Sequence, residues 1–120
     1  MSENEIRVLY VQPGKYPEER IIPNTYEARQ KLVGETLDTR HPWRDNACII
    51  SNDIAQDLGL PPNRLYGYDG CIAGSFIVCG DSDDGLISLT DEQMAYYEKL
   101  YHYPIAFLPM VHSFLPMKCT

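Results

Sequence analysis

The sequence predicts a single α+β domain: a mainly antiparallel sheet, open or barrel-like, two α-helices, and an apolar extension at the carboxyl end. Three observations carry that expectation. Short β-branched and aromatic runs alternate with turn signals along most of the chain, and only two segments open with helix-start chemistry. The 120 residues hold no linker-like stretch, and a chain of that size removes roughly two-thirds of its unfolded surface from water, enough for one core. Residues 1–102 read as the domain and 103–120 as the extension. With 44% hydrophobic and 22% charged residues, the composition lies far from that of a disordered chain.

Ile6–Val11 is β-branched and aromatic-rich and ends at Pro13-Gly14, so it reads as a strand near the centre of the sheet. Arg20–Ile22 is a short second strand. Asn24 then offers a side-chain acceptor to the free N–H groups of a helix, with Glu27 three residues on, which predicts a helix over Thr25–Val33. Gly34 suits a left-handed cap, and Tyr26, Arg29, Leu32 and Val33 share one helix face. Glu35–Arg40 alternates with period two, the pattern of a strand with one wet face. His41–Asn46 is a loop, Ala47–Ser51 an apolar strand, and Asp53–Leu58 fits one helical turn or an irregular excursion equally.

Consecutive prolines predict an irregular Leu60–Arg64. Asp69-Gly70 between Leu65–Tyr68 and Cys71–Cys79 is a two-residue hairpin signal. Gly80–Gly85 turns the chain into Leu86–Leu89. Thr90-Asp91-Glu92-Gln93 is a capping box that opens a second helix running to about Tyr101, with Met94, Tyr97, Leu100 and Tyr101 on one face.

The formal charge of −7, from 17 acidic against 10 basic side chains, repels a polyphosphate and argues against direct nucleic-acid binding. No apolar run approaches the ~20 residues of a membrane span; the long uncharged stretch Tyr103–Met117 is broken by Pro104, Pro109 and Pro116. The polar, acidic start lacks the features of a secretory leader, so the expected compartment is the cytoplasm. Cys48, Cys71, Cys79 and Cys119 form no Cys-x-x-Cys pair, and His41, His102 and His112 fall at no zinc-finger spacing. Neither a metal nor a cofactor is expected, and Cys48 and Cys79 read as buried free thiols.

Candidate sites are few. Asp81, Asp83 and Asp84, with Glu92 eleven residues after Asp81, resemble a calcium loop only superficially: Gly85 and Leu86 stand where that loop needs an oxygen ligand and a glycine. A solvated hairpin turn is the better reading. Asn63 and Arg64 offer an amide and a charged fork able to hold a carboxylate or phosphate; the favoured alternative has Arg64 paired with a carboxylate of its own domain. Pro13-Gly14-Lys15 lacks phosphate-loop spacing. Ser51, Ser75 and Ser113 lack a nucleophile-elbow context, so no enzyme is expected. His41 beside Pro42-Trp43 reads as a loop histidine packed on an aromatic ring. Within Tyr103–Met117, Phe107, Met110 and Phe114 must be covered, since each buried apolar side chain is worth on the order of 1.5–3 kcal/mol. The cover is either the domain's own sheet or an interface, with a homodimer or a larger protein.

Several segments, taken in order, resemble a family. Gln12-Pro13-Gly14-Lys15, Ile22-Pro23-Asn24-Thr25, Leu32-Val33-Gly34, Gly59-Leu60-Pro61-Pro62-Asn63-Arg64, Ile72-Ala73-Gly74-Ser75-Phe76-Ile77-Val78 and Ser88-Leu89-Thr90-Asp91-Glu92-Gln93 follow the pattern of an uncharacterised small-domain family found in bacteriophages and mobile elements of Gram-positive bacteria. The likeness covers about Val8–Tyr101, and the segment after Tyr101 departs from the family's usual ending. The resemblance implies no catalytic residues.

Together these readings predict a non-enzymatic phage or mobile-element accessory protein in the host cytoplasm. It would bind a host protein and inhibit a defence system such as a CRISPR nuclease or restriction enzyme. Asp81, Asp83, Asp84, Asp91 and Glu92 would form an acidic docking face, with Phe107, Met110 and Phe114 as apolar anchors. The alternative is a protein that sequesters a nucleotide signal near Asn63 and Arg64. A third reading, a hydrolase, requires a pocket where one of the histidines meets a carboxylate or a metal.

Overall fold

A computed structural model describes residues 4–66, 70–105 and 118–119. In chain order the elements are β1 (Glu5–Val11), β2 (Glu18–Pro23), α1 (Tyr26–Val33), β3 (Leu37–Arg40), β4 (Ala47–Asn52), β5 (Pro62–Tyr66), β6 (Gly70–Ala73), β7 (Phe76–Ser82), β8 (Gly85–Ile87), α2 (Asp91–Leu100) and β9 (Lys118–Cys119). The larger sheet runs β2-β1-β7-β4-β3, with β8 also paired to β7, and every pairing in it is antiparallel. It is open, so the barrel-like alternative is set aside and the α+β class stands. A smaller sheet runs β5-β6-β9, its last pairing parallel.

The apolar runs of β1, β4 and β7 look continuous because both faces of the large sheet are covered. Side chains alternate across it. One set, including Ile6, Val8, Tyr10, Cys48, Ile50, Ile77 and Cys79, joins Val33 of α1. The other, including Leu9, Val11, Ala47, Ile49, Phe76 and Val78, joins Met94 and Tyr97 of α2, Tyr101 after it, and Ile72 of the small sheet.

Five local expectations change. Thr25, not Asn24, caps α1, its hydroxyl accepting from the Ala28 N–H; Asn24 instead donates to the Leu86 carbonyl and accepts from Arg29. Gly34 does end α1, at φ +140° and ψ 171° and not in the left-handed helical well; a β-carbon there would lie 2.4 Å from Asn52 Nδ2. The Pro62-Asn63-Arg64 run is strand, because proline is tolerated as the first residue of a strand and the register shifts between Pro62 and Arg64. The run 71–79 is two strands, split where Gly74 turns at φ +74°. The Thr90/Gln93 capping box is present as expected, whereas Leu100 points to solvent, leaving Met94, Tyr97 and Tyr101 as the buried face. Residues 53–59 form a turn closed by a Leu58 N–H to Ile54 carbonyl bond of 3.1 Å.

Cys48 and Cys79 are free and buried, as expected. Cys71 is disulfide-bonded, and its backbone lies in register with Cys119 of β9.

Candidate functional site

In a regular strand, neighbouring side chains point to opposite faces; the irregularity at the start of β5 lets Asn63 and Arg64 both be buried. The Asn63 amide donates to the carbonyls of Val11 (2.9 Å) and Gly74 (2.8 Å), and its oxygen accepts from Arg64 Nη1 (2.8 Å). Arg64 Nε donates to the Tyr101 carbonyl (2.7 Å), Nη1 to the Asn63 carbonyl (3.1 Å), and Nη2 to the Lys15 carbonyl (2.5 Å). Each acceptor is neutral. The expected internal carboxylate partner is therefore replaced by carbonyls, because β5 meets the end of α2 and the β1–β2 loop, where backbone oxygens are free.

Arg64 is 2% exposed, and burial pushes its pKa down to about 10, so it still carries its charge at neutral pH. It has no ion pair among the described residues. Tyr101, the C-cap of α2, presents the negative end of the helix dipole to it, a partial compensation only.

Above this cation opens a pocket of about 720 Å³ lined by Trp43, Arg64, Tyr66, Leu100, Tyr101 and Tyr103, among others. Trp43 rests on Tyr97 (centroids 4.4 Å apart) and edges Tyr101 (6.5 Å), which in turn meets Phe76 edge-on (5.3 Å). The Arg40 guanidinium, paired with Asp38, lies 5.0 Å over the ring of the wall residue Tyr66. Burial raises the pKa of Tyr101, and burial together with the Asp45 hydrogen bond raises that of Tyr97; both phenols stay neutral. The volume falls within the ~300–1,000 Å³ typical of ligand pockets. Its chemistry is that of recognition: aromatic faces around one buried cation.

Behind Trp43, Asp45 accepts from Tyr97 Oη (2.6 Å), from Gln93 Nε2 (3.1 Å) and from the Asn46 N–H (2.8 Å). These bonds hold its carboxyl below the usual range, the Tyr97 bond most of all and against a desolvation cost. A depressed folded-state pKa contributes stability above the unfolded value of ~3.9 that fades as pH falls through the folded value. Tyr97→Phe is therefore expected to cost about 1 kcal/mol at pH 7 and progressively less as the pH falls below ~3.9, read as the gap in melting temperature from wild type across that range.

The acids predicted as a docking face divide. Asp81 contacts His41 (Oδ2 to Nε2, 2.6 Å) and Asp91 pairs with Arg7 (2.5 Å), whereas Asp83, Asp84 and Glu92 are exposed and make no ion pair among the described residues. His41 thus meets a carboxylate and borders one hollow with Trp43. His102 bonds Glu98 (2.8 Å) and stacks on Tyr16 (4.7 Å). Phe107, Met110, Phe114 and His112 lie outside the described residues. The pocket walls Trp43, Tyr66, Tyr101 and Tyr103 escaped the sequence reading. They come from separate segments with no shared motif, and the one available signal was the solitary tryptophan of a tyrosine-rich chain.

Comparison with protein families gives a match, described as a domain of unknown function (DUF3846), across residues 6–102. The chain belongs to this family. No curated protein and no solved structure matches it. The DUF3846 match takes in the whole Asn63–Arg64 cradle and most of the pocket wall, with Tyr103 just beyond it.

Proposed function

We propose that this DUF3846 domain is a binding module for a small molecule that joins a planar, apolar body to an anionic group, with nucleotides the favoured class. The observation that carries this reading is a buried arginine, with no carboxylate partner among the described residues, at the floor of an aromatic pocket. A charge held away from water without a counter-charge is costly, and a ligand phosphate or carboxylate relieves that cost. Arg64 keeps one Nη2 hydrogen beyond its four carbonyl bonds. A base stacked on the pocket rings contributes about 1–3 kcal/mol. Sequestration of a nucleotide signal is compatible with the accessory role in a phage or mobile element that the sequence resemblance implies.

Trp43 is the only tryptophan and lines the pocket, so its emission reports occupancy directly. Titration with a panel of mono- and dinucleotides is expected to change that emission saturably for at least one member. Tyr103→Ala, at the exposed rim, should weaken that member about tenfold or more, and saturating ligand at 100 times Kd should raise stability by about 2.7 kcal/mol. A flat emission signal and an unmoved melting temperature across the whole panel reject the reading.

A second reading, docking on a host defence protein, draws on the surface beside the pocket. Asp45 lines two adjoining hollows, one with Asp81 and Asp83 and the other with Glu92, which joins the acids of two loops and of the α2 start into one rim. Its test is salt dependence. Combined neutralisation of Asp83, Asp84 and Glu92 should flatten the ionic-strength dependence of association with a captured host partner.

A further inference from the structure

We propose that His41, Cys48 and Asp81 form a binding site for a zinc-like divalent transition metal, with a fourth coordination position open to solvent. One donor atom from each, an imidazole nitrogen, Cys48 Sγ and a carboxylate oxygen, lies within 4.8 Å of the other two. The three arrive from different places in the chain. His41 follows the last residue of β3, Cys48 is the second residue of β4, and Asp81 lies on β7, the strand that pairs with β4. The pairing Cys48↔Cys79 and the bond from the Asp81 N–H to the Asn46 carbonyl (3.0 Å) fix two of the three donors against each other, while His41, on an exposed loop, is free to adjust.

The donor set is mixed nitrogen, sulfur and oxygen. Thiolate and imidazole select zinc-type ions over calcium or magnesium, which take oxygen ligands. Tetrahedral zinc with bonds of ~2.0–2.3 Å places its ligand atoms roughly 3.3–3.8 Å apart. The His41–Asp81 contact of 2.6 Å would open by under ~1 Å, and Cys48 Sγ would close in by a comparable amount, both within side-chain rotation. Beside His41 and Asp81 lies a hollow of about 260 Å³, also lined by Asp45 and Asp83, with room for a water as fourth ligand. Three protein ligands and a free position are the arrangement of zinc sites that keep a water-accessible coordination place, as catalytic ones do, in contrast to closed four-ligand structural ones.

Cys79 takes the supporting role. Its sulfur lies 3.7 Å from Cys48 Sγ, a contact in which either sulfur can donate, and so it stands where an outer-shell partner orients and tunes a ligand.

The test uses the full chain without an affinity tag, stripped with chelator and titrated with Zn²⁺ by calorimetry and with Co²⁺ by absorption. One equivalent of Zn²⁺ per chain is expected, with a thiolate-to-cobalt charge-transfer band in the Co²⁺ form. His41→Ala and Asp81→Asn, both at solvent-accessible positions, should each weaken Zn²⁺ by tenfold or more, since loss of an outer-shell partner alone costs about 10–100-fold. Cys48→Ser should abolish the charge-transfer band, whereas Cys79→Ser and His102→Ala should keep it. Absence of stoichiometric Zn²⁺ binding, or a change of less than tenfold in both the His41 and Asp81 variants, overturns the site. Neither surface variant disturbs the core, so a folding failure at Cys48 leaves the outcome decided.

Discussion

Asn63→Ala is expected to lower stability by about 3–5 kcal/mol, measured by urea denaturation. Asn63 is fully buried, and its amide joins three parts of the chain that nothing else on its side chain's scale connects: the end of β1 through Val11, the bend after β6 through Gly74, and Arg64 beside it. Truncation strips two buried carbonyls of a donor and removes one acceptor from a buried cation. Each orphaned neutral group costs about 1–3 kcal/mol and a charged one more. Asn63→Leu, which restores volume without hydrogen bonds, should recover little. Full recovery by leucine would mean that the site needs packing and not bonding. Because Arg64 is aligned by Asn63, the alanine variant should also lose nucleotide-dependent change in Trp43 emission at temperatures where it remains folded.

What was legible in the sequence is whatever depends on neighbours along the chain. The Thr90/Gln93 capping box and the apolar, β-branched runs of β1 and β4 each rest on residue types and bonds within a few positions, and each stands in the structure. The misreadings arose where distant contacts override local preference. Two prolines argue against regular structure, but Pro62 sits at a strand start, where its missing donor is not required. Asn24 and Thr25 are both competent caps, and tertiary bonds of Asn24 to Leu86 and Arg29 decide between them. Leu100 follows the helical period of Met94 and Tyr97, yet the core takes up Tyr101 beside it and leaves Leu100 half exposed.

The candidate site was legible by residue and not by arrangement. Asn63 and Arg64 stood out as an amide beside a fixed charge, but whether that charge met a carboxylate depended on which segments crossed it, and those are Lys15 and Tyr101, 49 and 37 positions away. Likewise His41, Cys48 and Asp81 show no metal-ligand spacing, because register between β4 and β7 brings them together, and register is set by both partners.

Gly80→Ala should be the most damaging single-methyl addition, about 3 kcal/mol and roughly 10–15 °C in melting temperature, at the upper end of the overpacking range. The reason is space and not backbone angle. A β-carbon at Gly80 would stand 2.7 Å from the Ser88 carbonyl and 2.9 Å from both the Ile87 carbonyl and Ile87 Cγ1. Backbone oxygens cannot rotate away, so β8 must move off β7. The strain then travels along a defined route. Ser88 Oγ accepts from the Arg7 N–H (2.9 Å), the Leu89 N–H donates to the Arg7 carbonyl (2.9 Å), and Thr90 immediately caps α2. A shift of β8 therefore loosens α2 from the core, and with it the Tyr97 face on which Trp43 rests. Gly14→Ala provides the contrast: φ there is +74° with open space around it, so only the conformational cost of about 1–2 kcal/mol applies. The two variants should separate in Trp43 emission as well as in stability, Gly80→Ala shifting it in the folded baseline and Gly14→Ala leaving it in place. Equal losses in the two would show that the β7–β8 crossing has slack that its distances deny.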